Sequence, residues 1–122
     1  MSKKILVVDD SETERLFITE IAKKIEDVEV DDASDFKEAR DKLSENKYDL
    51  ILIDAYMPEG EGAGLWKSVL DDDLLGDEGT NAIIMGHESD FSKEYLAEHG
   101  FVNFLEKPIG FHMLKAAISL YA

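Results

Sequence analysis

Three short apolar runs, Ile5-Leu6-Val7-Val8, Leu50-Ile51-Leu52-Ile53 and Ala82-Ile83-Ile84-Met85, set the tightest limit on how this chain can fold. Unbroken apolar runs of this length suit strands covered on both faces, as in a parallel sheet, because no position alternates out to water. The first run closes on Asp9 and Asp10, the second on Asp54. Two weaker strand segments lie at Val28 and Val30 and at Phe101 to Leu105, the latter ended by Lys107-Pro108. Between the five lie stretches with helical spacing. Ser11 can cap the first, with Glu12 and Glu14 in its acidic first turn and Leu16, Phe17, Ile21 and Ile25 as its apolar residues. Ser34 opens a second, with Phe36, Ala39, Arg40 and Leu43; Leu65, Trp66, Val69 and Leu70 mark a third beyond a Pro- and Gly-rich loop, Met57 to Gly62. Phe91, Tyr95 and Leu96 mark a fourth, stopped by Gly100, and Phe111, Leu114, Ala117, Ile118 and Tyr121 a fifth.

Strand then helix, five times over, predicts an α/β fold: a doubly wound (βα)5 sandwich with a parallel five-stranded sheet and helices on both faces. The 122 residues are expected to form one domain, 1–122, with no linker and no internal repeat. Asp and Glu number 28 against 13 Lys and Arg, a formal charge of -15, so the surface repels nucleic acid and offers no basic patch to bind it. The absence of cysteine excludes disulfides, thiolate metal sites and cysteine nucleophiles, and fits the cytoplasm. Ile5 to Val8 is too short for a signal sequence or membrane span, so a cytoplasmic protein without a membrane anchor is expected.

Ligands of open α/β sheets bind outside the carboxyl ends of the strands. Asp9 and Asp10 end the first strand, Asp54 the third, and Lys107 follows the fifth. Three carboxylates gathered at one buried edge need a neutralising partner, and a hard divalent cation such as Mg²⁺ suits their oxygens. The lysine would supply further positive charge. A carboxylate nucleophile, a metal and a cation together suffice for phosphoryl transfer to an acyl oxygen.

Val7-Val8-Asp9-Asp10-Ser11 with Arg15, Leu52-Ile53-Asp54 followed by Met57-Pro58 and Gly62, and Lys107-Pro108 occur in that order at strand ends. In these residues the chain resembles the receiver (CheY-like) family of response regulators, over essentially its whole length. The resemblance implies the flavodoxin-like strand order 2-1-3-4-5. It implies a two-component signalling domain, not an enzyme in its own right, that takes a phosphoryl group onto Asp54 from a sensor histidine kinase or phosphotransfer protein. Asp9, Asp10, Asp54 and the main-chain carbonyl of Tyr56 would hold Mg²⁺ (or Mn²⁺), and Lys107 would contact the phosphoryl oxygens. The altered face would be the fourth helix, fifth strand and fifth helix, read by a downstream protein. Phe104 takes the place of the family's switch aromatic, without the hydroxyl often found there.

One position departs from the family. A Ser or Thr is expected where the fourth strand ends, yet the chain reads Ile83-Ile84-Met85-Gly86-His87-Glu88. Alignment on the apolar run puts His87 there; a one-residue slip puts Gly86 there. Neither has a hydroxyl, and Ser89 could substitute only if the loop rearranged. The alternative function is therefore a protein-interaction module with little phosphorylation-driven switching. A metal-dependent phosphohydrolase using an aspartyl nucleophile is a third reading, set back by an Asp-Asp-Ser sequence where Asp-x-Asp is expected. His87 and His99 lack metal-ligand spacing, and Gly60, Gly62 and Gly64 lack the lysine and spacing of a phosphate-binding loop.

Overall fold

The computed structural model describes residues 2–76, 79–87 and 91–122. Its sheet consists of β1 (Lys3–Val8), β2 (Val28–Ala33), β3 (Leu50–Asp54), β4 (Asn81–Gly86) and β5 (Asn103–Glu106). Every pairing among them is parallel, in the order β2-β1-β3-β4-β5, as the resemblance implied. The helices are α1 (Glu12–Lys23), α2 (Phe36–Glu45), α3 (Gly62–Asp71), α4 (Lys93–His99) and α5 (Phe111–Tyr121). None of them is long and apolar enough to cross a membrane.

Successive residues of β1 face opposite ways, so one apolar run feeds two cores. Ile5 and Val7 join Leu50, Leu52, Ile83 and Met85 beneath α1 and α5. Leu6 and Val8 join Ile51, Ile53 and Ile84 beneath α2, α3 and α4. Each fully buried aliphatic side chain stabilises the fold by about 1.5–3 kcal/mol before chain entropy is counted. β2 is an edge strand and only partly buried, which is why its run is shorter and more polar.

Helix ends follow local chemistry. The Ser11 hydroxyl accepts the Glu14 N–H, Ser92 accepts that of Tyr95, and Gly100 closes α4 in the left-handed region at φ 79°. The cap of α2 is Asp35, one residue beyond the Ser34 expected, because the Asp35 carboxylate takes the Glu38 N–H while Glu38 reaches back to the Ser34 N–H. Phe91 precedes α4 instead of lying in it, and β5 starts at Asn103, two residues later than expected. The apolar face of α1 is Ile18, Ile21 and Ala22, continued by Ile25. Leu16 and Phe17 are 58% and 53% exposed, since neither falls on the i, i+3, i+4 stripe through Ile18 that meets the sheet. Leu70 likewise turns outward from the stripe of Leu65, Trp66 and Val69. The loop after β3 is ordered as a two-residue antiparallel ribbon, Tyr56–Met57 against Gly60–Glu61.

Candidate functional site

The carboxyl ends of β1 and β3 lie side by side, in register from Ile5 with Leu50 to Val8 with Ile53. The next residue of each strand is an aspartate. Asp9 is fully buried and Asp54 is 8% exposed, while Asp10 faces solvent. Asp9, Asp10 and Asp54 each bring a carboxylate oxygen within 4.8 Å of the others. Lys107, held at the end of β5 by its N–H to the Gly86 carbonyl, reaches in from the other side. Its Nζ lies 3.0 Å from Asp9 Oδ2 and 3.1 Å from Asp54 Oδ1.

Further contacts hold this arrangement. Asp9 Oδ1 accepts the Ser11 N–H, and the Asp9 carbonyl accepts Arg15 Nη1, whose Nε is paired with Asp32 at the end of β2. Gly62 begins α3 directly against the back of Asp54: a Cβ there would lie 2.3 Å from the Asp54 carbonyl oxygen. Glu14, from the first turn of α1, brings Oε2 to 2.6 Å from Lys107 Nζ.

Three carboxylates, Asp9, Glu14 and Asp54, thus share one ammonium, with Asp10 close by. Burial pushes Asp54 up to about 6, against the opposing pull of Lys107. Burial also raises Asp9, partly offset by the Ser11 N–H and Lys107. Glu14 moves down, chiefly through its hydrogen bond to Lys107. Burial works against the lysine's charge, but its contacts with Glu14, Asp9 and Asp54 outweigh it and raise Lys107. The pocket is over-supplied with negative charge and built wholly of oxygen donors, which is the chemistry a hard divalent cation meets.

The folded chain holds the Asp54 proton more tightly than an unfolded chain, where the ordinary value is 3.8. Through this group, stability is lost as pH rises from about 4 to about 6 and is regained on acidification. The full difference corresponds to about 3 kcal/mol at neutral pH, and substitution recovers part of it because Lys107 keeps other partners. Asp54→Asn is therefore expected to raise unfolding free energy by about 1–2 kcal/mol at pH 7.5, a gain that shrinks toward zero below pH 4. Urea denaturation across that range checks it; a variant less stable than wild type at pH 7.5 would refute it.

The chain matches the family model for the response regulator receiver domain over residues 5–119. It belongs to that family. A probable chemotaxis protein CheY of Rhizobium etli is 25% identical, over 94% of this chain and 88% of its own length. A protein-glutamate methylesterase/protein-glutamine glutaminase of Sulfurimonas denitrificans is 35% identical over 71 residues, and the match spans 57% of this chain but only 20% of that protein. Among solved structures, the Francisella response regulator 1452 receiver domain is 28% identical, covering 98% of this chain and 96% of its own, at a TM-score of 0.81. Chemotaxis protein CheY4 of Vibrio cholerae has the same fold, at a TM-score of 0.85 over the whole of both chains and 24% identity. The sheet is accordingly the flavodoxin-like, CheY-like one. Receiver domains are signalling domains and bind Mg²⁺ at an acidic pocket, and the Asp9, Asp10 and Asp54 cluster could hold such an ion.

The other residues singled out in the sequence lie around this receiver pocket. Tyr56 follows Asp54 by two residues in the ribbon and is 59% exposed. β4 ends on Gly86, which is buried, whereas His87 lies beyond the strand and is exposed. Ser89 falls outside the described residues. A Cβ on Gly86 would meet Phe91 Cζ at 2.9 Å and Ala55 Cβ at 3.3 Å, so the phenyl ring covers the strand end. Phe91 in turn packs against half-buried Phe104, the rings tilted with centroids 5.5 Å apart.

Glu14 and the Phe91 cover were not legible as site residues, and Gly62 was marked only as part of the family's pattern, not by its contact with Asp54. Glu14 reads in sequence as an ordinary first-turn acid, and its reach to Lys107, 93 residues away, leaves no local signal.

Proposed function

We propose that this receiver domain accepts a phosphoryl group on Asp54 from a sensor histidine kinase or phosphotransfer protein. The observation that carries this is the convergence of Asp9, Asp10 and Asp54 with Lys107 Nζ 3.1 Å from Asp54 Oδ1. An Asp54 carboxylate oxygen attacks phosphorus in line as the donor's phosphorus–nitrogen bond breaks, and the leaving imidazole takes a proton from solvent. Lys107 donates to the phosphoryl oxygens and offsets their charge. Asp9, Asp10, Asp54 and the Tyr56 carbonyl would hold Mg²⁺ (or Mn²⁺), which when bound supplies Lewis-acid stabilisation of the transferring group. The domain assists its own phosphorylation and dephosphorylation and turns over no separate substrate. It acts in the cytoplasm as one domain, 1–122, binds no nucleic acid itself, and signals to a downstream protein through α4, β5 and α5.

A second reading, a protein-interaction module with little switching, draws support from Gly86. No side chain there can take hold of a phosphoryl oxygen, and the covering Phe91 ring leaves no room for one. Amide spectra recorded with Mg²⁺, with and without beryllofluoride (a stand-in for the phosphoryl group), test both. Changes that spread from Asp54 and Lys107 through Phe104 into α4 are expected of a switching receiver. Changes confined to the pocket favour the second reading, and no change at all refutes acceptance at Asp54.

A further inference from the structure

An ammonium has three protons to donate, and Lys107 already has a carboxylate for each. Nζ contacts Asp9 Oδ2 at 3.0 Å, Asp54 Oδ1 at 3.1 Å and Glu14 Oε2 at 2.6 Å. A phosphoryl group on Asp54 would bring new anionic oxygens to the same ammonium, so one contact must open. Asp9 is fully buried and cannot turn out to water, so its release from Lys107 needs another cation in the ammonium's place. Asp54 is itself the acceptor. Glu14 is different: its side chain is 50% exposed, and released it returns to water with little loss.

We propose that Glu14 is a positioning residue which occupies Lys107 in the unmodified protein, in the place of phosphoryl oxygens, and is displaced when they arrive. Glu14 thereby weakens the pocket's hold on the phosphoryl group and sets how readily Lys107 engages it. The inference rests on Asp54 as the acceptor, and deepens that reading by naming an internal competitor for the anion.

The test uses the full chain, Mg²⁺ and beryllofluoride, with affinity measured by calorimetric titration. Glu14→Gln keeps the length and removes the charge; Glu14→Asp keeps the charge and shortens the reach to Lys107. Both are expected to bind beryllofluoride about threefold to fivefold tighter than wild type, the scale of a half-exposed ion pair. In a Lys107→Ala background, Glu14→Asp should have no effect, because the contact it breaks is gone. Unchanged or weaker binding by Glu14→Asp overturns the assignment, as does a gain that persists without Lys107. Binding by wild type with no difference among the variants removes the Glu14 role alone; no binding by wild type removes the acceptor reading and this one with it.

Discussion

Asp54→Asn protein incubated with acetyl phosphate and Mg²⁺ is expected to gain no phosphoryl mass, whereas the wild-type chain gains one. The amide nearly matches the carboxylate in shape and leaves an oxygen for Lys107, so the pocket survives while the nucleophile is lost. Asp9 is a poor substitute. It is fully buried, with one oxygen on the Ser11 N–H and the other on Lys107, and both contacts draw electron density from a nucleophile. Asp10 is exposed and lies outside the reach of Lys107's three contacts. Intact-protein mass spectrometry reads the result directly. Equal labelling of the variant would place the acceptor elsewhere and overturn the mechanism; the circular dichroism spectrum and the raised stability expected of the same variant show that it is folded.

Gly62→Ala is expected to be the most damaging single methyl in the chain near this pocket. Its Cβ would sit 2.3 Å from the Asp54 carbonyl oxygen and 2.7 Å from Ile53 Cγ2, distances that real Cβ atoms do not adopt. Neither neighbour can step aside, since Asp54 is the last residue of a central strand and Ile53 is fully buried. The Gly62 N–H also donates to the Ala55 carbonyl, so withdrawing α3 breaks that bond. Overpacking of this kind costs about 3 kcal/mol, which for a domain of this size lowers Tm by about 10 °C. Mg²⁺ affinity should fall as well, because relief of the clash displaces Asp54. Gly64→Ala, where a Cβ meets nothing within 4 Å, is the control and should be no less stable than wild type, gaining up to about 1 kcal/mol from helix propensity. A Gly62→Ala protein as stable as that control would show that the close approach is not a constraint.

The end of β4, beside the acidic pocket, is set by a glycine and an aromatic ring. In the sequence, Gly86 and His87 compete for the end of the fourth strand, and periodicity cannot choose between them. The strand ladder chooses: Gly86 pairs with Glu106 of β5, and His87 falls beyond the last rung. Gly86 is then required for packing, because Phe91 lies against the bare backbone.

The order of strands and helices was legible in the residues themselves, because a run such as Leu50 to Ile53 is stable only when covered on both faces, and that forces a parallel sheet with helices on either side. The same logic put Asp9, Asp10, Asp54 and Lys107 at one edge, since strand ends of a parallel sheet share a side. Errors fell where a pattern has a period but no origin. Leu16 and Phe17 looked like core residues because helical spacing says which residues share a stripe, not which stripe meets the sheet. Contacts made across the fold were beyond reach for a further reason. The ion pair between Glu14 and Lys107, and the touch of Gly62 on Asp54, depend on where α1 and α3 begin relative to the strand ends, to within a few tenths of an ångström. The sequence by itself determined the sheet and the acidic pocket, through hydrophobic burial and strand direction. Only the tertiary structure decided which carboxylates reach Lys107 and which glycine abuts Asp54, because both are questions of distance between segments that no local pattern encodes.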